Sequence, residues 1–107
     1  MANAFKVLYQ GQLGNSVATL ATVGAAKTWI IKQITAVNND ASARTFGLYV
    51  GGTTAAKAIT PPAVSIPAGG GWDWCPCDIC LETGQTLSGG ASVATQVTVT
   101  VFGVEIS

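Results

Sequence analysis

Apolar and polar residues alternate with a period of two over several stretches of the chain, the signature of strands with one buried face. In the clearest run, Gln96 to Val101, Val97, Val99 and Val101 alternate with Thr98 and Thr100. Beyond it the phase slips, because Val101 and Phe102 are adjacent apolars and Gly103 precedes Val104-Glu105-Ile106. A bulge at Phe102-Gly103 is the expected cause, with Gly103 in a position that requires φ > 0. Arg44 to Val50 predicts a second strand with Phe46, Leu48 and Val50 on one face, stopped by Gly51-Gly52. Thr28 to Val37 predicts a long strand whose phase changes near Lys32-Gln33, which calls for a bulge or a change of sheet. Asn38-Asn39-Asp40-Ala41-Ser42 has turn chemistry, since Asn, Asp and Ser bond their own backbone. The strands on either side of it are expected to form a hairpin.

Weaker strand signals cover Phe5–Gln10, Val17–Val23, Lys57–Ile59, Val64–Ile66, Trp72–Cys75 and Ile79–Glu82. About eight short strands with turn signals every 8–12 residues or so predict a sandwich or barrel. Pro61-Pro62 and Pro67 place their region at an edge or in a loop, because proline has no N–H to give to a central ladder. Gly69-Gly70-Gly71 reads as a flexible joint. No repeat or second domain is evident, so residues 1–107 are expected to form one domain.

Composition narrows the function more than the fold. The 107 residues carry five basic and five acidic side chains, for a formal net charge of zero, and no histidine. Zero net charge gives no electrostatic footprint for nucleic acid or an anionic membrane. Without histidine, Ser-His-Asp and Cys-His nucleophilic sites cannot be built, so no enzyme and no cofactor are expected. Only 9% of residues are charged against 49% apolar, where a soluble domain has about 25% charged. A small, neutral, charge-poor chain is expected to cover much of its surface with copies of itself or with partners. No basic stretch followed by an apolar run opens the sequence, so no signal peptide is expected, and no apolar run is long enough to span a membrane.

The order of segments resembles small virion proteins of tailed bacteriophages. The resemblance starts at Ala18-Thr19-Leu20-Ala21-Thr22-Val23-Gly24-Ala25-Ala26-Lys27-Thr28-Trp29-Ile30-Ile31-Lys32 and continues through Ile34–Asn39 and Arg44–Gly52. It closes with Leu81–Gly89 and Val97–Glu105, so it covers roughly Val17 to Glu105. It departs from the family pattern at Gly24-Ala25-Ala26, where a proline often precedes Ala-Gly, and in the cysteine-rich segment. The resemblance implies an all-β, jelly-roll-like antiparallel β-sandwich, often trimeric. The function it implies is head decoration (cement), with the major capsid protein as partner, or a place in neck, tail or fibre. It also implies synthesis in the host cytoplasm and residence on the capsid surface of the virion.

Trp72-Asp73-Trp74-Cys75-Pro76-Cys77-Asp78-Ile79-Cys80 is the chain's unusual chemistry. One reading is three small side chains packed beside two aromatics. A second is cross-linking between chains, because an odd count leaves at least one thiol without a partner in its own chain. The expected arrangement is then a local Cys77–Cys80 pair with Cys75 free to reach outward, the reverse being nearly equivalent. A third is a metal site with Asp73 or Asp78 as an oxygen ligand, although zinc favours two separated pairs of ligands. A redox role for Cys77-Asp78-Ile79-Cys80 lacks a βαβ setting. Trp72 and Trp74 are two apart, so they share one face of a strand and are candidates for core or subunit interface. With Trp29 they offer the rival reading of a carbohydrate- or receptor-binding platform, as at a fibre tip. Asp73, Asp78 and Glu82 read as solvated carboxylates, and Gly69-Gly70-Gly71 is no phosphate loop because no Gly-Lys-Ser/Thr follows it.

Overall fold

The computed structural model of the chain describes residues 3–53, 57–60, 63–75 and 78–107. Among the described residues nine strands follow in order: β1 (Asn3–Gln12), β2 (Ala18–Thr22), β3 (Thr28–Asn38), β4 (Arg44–Val50), β5 (Val64–Ile66), β6 (Gly71–Trp74), β7 (Ile79–Leu81), β8 (Thr86–Ala91) and β9 (Val97–Ile106). Sheet A has the order β1-β9-β3, with β6 and β7 both paired to the far edge of β3, and sheet B has the order β2-β8-β4-β5. All pairs are antiparallel. With β6 and β7 taken as two halves of one strand, the pairing is nested: first with last, second with second-last, and so inward to β4 with β5. This is a jelly roll, a double-sheet sandwich of eight strands. The expected all-β sandwich is therefore the observed one.

The two inner faces supply the core. Ile31, Ile34, Leu48, Leu81, Leu87, Val97, Val99 and Val101 have no exposed surface, and Phe46 is 1% exposed. Burying each such side chain contributes about 1.5–3 kcal/mol. Phe46 and Leu48 point into the core as their alternation predicts, with Val50 packed at its margin.

Asn38–Ser42 does not close a hairpin. β3 lies in sheet A and β4 in sheet B, so the segment is an arch between sheets. Asn38 is fully buried beneath it. Its Nδ2 donates to the carbonyls of Ser42 (2.9 Å), Ile66 (3.1 Å) and Pro67 (3.2 Å), and its Oδ1 accepts from Asp40 N–H at 3.0 Å. A turn sequence specifies a reversal of direction, not which sheet receives the next strand. Likewise Gly69-Gly70-Gly71 is no free joint. Gly69 (φ 65°) donates to Asp40 O at 3.2 Å, Gly70 donates to Pro67 O at 2.9 Å, and Gly71 opens β6. Lys57–Ile59 forms no strand, only a single bridge from Ala58 to Tyr49. Pro61-Pro62 lies outside the described residues.

The expected bulges lie at one level of sheet A. In the pairing of β3 with β9, Ile31 faces Gly103 and Gln33 faces Phe102, so Lys32 is an extra residue on β3. In the pairing of β1 with β9, Val7 faces Phe102 and Tyr9 faces Val101, so Leu8 is an extra residue on β1. The expected bulge at Phe102-Gly103 thus falls on both neighbours, and β9 itself keeps its alternation, with Val97, Val99, Val101 and Gly103 all inward and buried. Gly103 lacks a positive φ, contrary to the sequence-based expectation. It is glycine because an added Cβ would sit 2.1 Å from Ile30 O and 2.9 Å from Leu8 Cδ1. The bulge at Lys32 keeps Trp29 and Ile31 on the same side as Ile34 and Ala36 despite their change of phase.

Candidate functional site

The cysteine-rich segment interrupts an edge strand. β6 pairs with Ile34–Val37 and β7 with Trp29–Ile31 of the same strand, β3. Between the two pairings, residues 75–78 span what Lys32 and Gln33 span on β3. Cys75 and Asp78, the described residues of this stretch, are exposed. Lys32, the extra residue of β3, pairs there with the exposed carboxylate of Asp78. Asp78 has a φ of 55°, in the left-handed region that Asp tolerates better than most residues.

Cys75 and Cys80 both carry free thiols and both are exposed. The packed reading therefore fails for these two, since Cys75 lies exposed at the sheet edge and Cys80 on the outer face of its strand. Cys77, and with it the expected Cys77–Cys80 pair, lies outside the described residues. Among the described residues no group of three or more His, Cys, Asp or Glu side chains is placed to hold a metal. Asp73, Asp78 and Glu82 are exposed, as solvated carboxylates should be.

Trp72 and Trp74 share one face, the inner one, because Trp72 pairs with Ala36 and Trp74 with Ile34. Trp72 meets Phe46 edge-to-face with centroids 5.3 Å apart, and lies 5.8 Å from Trp74. Both rings are half-buried and, with Ile59 and Thr60, line a cavity of about 210 Å³ at the mouth between the sheets.

Two ion-pair clusters lie apart from this segment. At the end of sheet A, Glu105 accepts from Trp29 Nε1–H at 2.9 Å and pairs with Lys6 and Lys27, each at 3.4 Å. The indole hydrogen bond and the two ammonium groups hold its carboxyl below the ordinary glutamate value. At the arch, the Arg44 side chain bonds Asp40 at 2.6 Å and lowers its pKa. Charged pairs at these positions fix strand ends and an arch.

Sequence reasoning missed the outer face of sheet A. Register places Phe5, Val7, Phe102 and Val104 side by side on it, next to Ile30 and Cys80. Phe5 is 71% exposed and Val7 45%. The adjacent apolars Val101-Phe102 carried the signal, but they suggested an irregular strand and not two differently used faces.

No protein-family model and no curated protein sequence matches the chain. Among solved structures it is similar to the subunit described under "Bacillus endospore appendages form a novel family of disulfide-linked pili", with a TM-score of 0.52 and 11% identity over 99% of this chain and 87% of that one. It is similar to the tobacco streak virus coat protein, with a TM-score of 0.53 and 11% identity over 98% of this chain and 85% of that one. It also matches part of a chain of infectious bursal disease virus, with a TM-score of 0.50 and 15% identity over 97% of this chain and 31% of that one. At such identities the likeness is one of fold, the β-sandwich that these viral and pilus proteins share.

Proposed function

We propose that the chain is a structural protein of a phage particle, a head decoration protein that works in many copies on the assembled shell. The observation that carries this reading is a charge-poor jelly roll with exposed thiols on both sides of an interrupted edge strand. It is supported by the likeness of fold to coat and pilus subunits and by the sequence resemblance to phage virion proteins. Such a module acts by mass action, because whatever binds only the assembled shell stabilises it. No turnover is required, in keeping with a chain that has no histidine. The subunits are proposed to act as trimers against the major capsid protein. Cys75, Cys77 and Cys80 are the proposed donors of inter-chain disulfides. Each bond forms when two thiols lose two protons and two electrons to dioxygen or glutathione disulfide after release from the reducing cytoplasm.

A neck, tail or fibre component is the second reading. The exposed thiols suit it as well, since a filament gains from covalent links along its length, and one similar fold belongs to disulfide-linked pili. A carbohydrate-binding tip is disfavoured because Trp72 and Trp74 face the core side of their strand.

Copy number per virion tests the proposal. Hundreds of copies support decoration, six to eighteen support neck or tail, and absence from the particle overturns both. Gel electrophoresis of virions with thiols blocked before lysis tests the cross-link. Multimers that collapse on reduction are expected, and a monomer under both conditions ends the disulfide part of the reading.

A further inference from the structure

We infer that the outer face of sheet A is the surface through which one copy of the chain packs against a second. This rests on the structural reading above and adds the face that assembly uses. Three observations carry it. The first is the distribution of side chains on this face. At one end Phe5, Val7, Ile30, Phe102 and Val104 form a contiguous apolar field across three strands, with Cys80 at its margin on a fourth. At the other end the same face presents Gln10, Thr35, Thr98 and Thr100 with one exposed apolar residue, Val37, among them. An apolar patch bordered by uncharged polar residues is the kind of surface that protein interfaces use.

The second observation is size. Strands lie about 4.8 Å apart and rise about 3.4 Å per residue. Four strands, of which β1, β3 and β9 are ten or eleven residues long, therefore offer a face of roughly 650 Å², near the ~800 Å² per partner of a standard interface. The apolar end alone is roughly 300 Å², about as large as the greatest apolar patch of a typical monomer.

The third is charge. The paired positions on this face carry one charge, Asp73 at the far edge, and the Lys32–Asp78 ion pair at the bulge level adds no net charge. A face of so little net charge packs on a second copy with little like-charge repulsion, whether the contact is two-fold or head-to-tail as in a trimer. It offers nothing to steer a highly charged partner.

The test uses the purified full-length protein in reductant, so that thiol chemistry contributes nothing, with sedimentation velocity from 1 to 200 μM. The wild type is expected to self-associate in this range. Phe5→Glu/Val7→Lys changes two exposed side chains and is expected to weaken association at least tenfold. Val17→Lys, at an exposed apolar position off this face, is expected to leave it unchanged. In the wild type, hydroxyl-radical labelling of Phe5 and Phe102 should fall as concentration rises, a readout that needs no variant. A monomeric wild type at 200 μM, equal association of Phe5→Glu/Val7→Lys, or concentration-independent labelling overturns the inference. Many copies on the particle with unchanged association of Phe5→Glu/Val7→Lys removes the face and keeps the function. Absence from the particle with association through this face does the reverse.

Discussion

The two sheets of the sandwich treat their outer faces in opposite ways. Sheet B covers much of its own. Gly47 and Gly90 face each other there, beside Tyr49 and Ser88, and all four are buried. The chain leading into β2 crosses directly above, so that a Cβ on Gly90 would lie 2.7 Å from the Ser16 carbonyl carbon. Ala91 N–H donates to Gly14 O at 2.9 Å, which ties that crossing segment down. Sheet A has large side chains where sheet B has glycines, and Phe5 and Val7 stand exposed. Glycine is the residue of a face that backbone already covers, because no other residue admits so close an approach. Exposed Phe and Val belong to a face whose cover comes from outside the chain.

Substitutions at glycine test this contrast most severely. Gly103→Val forces a side chain into the backbone of β3, since even its Cβ would stand 2.1 Å from Ile30 O. A loss of about 3 kcal/mol or more is expected in chemical denaturation, and a loss under about 1 kcal/mol would remove Gly103 as the pivot of the bulge level. Gly90→Val should cost about 1–3 kcal/mol by lifting the Gly14–Val17 segment off sheet B. Proteolysis within that segment should accelerate in the variant, and an unchanged rate would mean that sheet B is not held covered by it.

Asn38 joins the two sheets, so its removal bears on both. Asn38→Ala strips the partner from several backbone groups at the arch. It should cost about 2–3 kcal/mol and loosen β4 and β5 against β3 in hydrogen exchange. A smaller effect comes from acid at the end of sheet A. The Glu105 carboxyl is lowered in the folded chain, so it stabilises fully above the ordinary glutamate range. That contribution is lost as pH falls through the lowered folded value. The drop in denaturation midpoint from pH 7 to pH 3 should therefore be larger for the wild type than for Glu105→Gln. Equal drops would mean that the Trp29 and lysine contacts do not act on this carboxylate in solution.

Sequence alone determined the strand class. Alternation marked β3, β4 and β9, and the phase change at Lys32-Gln33 marked a bulge, because a period of two leaves an extra residue nowhere to hide. It also determined that Trp72 and Trp74 share a face. It did not reveal β8, since Gly89-Gly90 breaks the apolar alternation, whereas in the sandwich both lie in a strand, with Leu48 packed 2.8 Å from where a Cβ on Gly89 would stand. Nor did it reveal that Asn38–Ser42 changes sheets. What sits above a glycine, which sheet receives a strand and which apolar face stays bare are properties of chain segments distant in sequence. Gly90 meets Ser16 and Phe5 meets Val104, and local periodicity holds no record of such pairs, so these choices were made by tertiary packing.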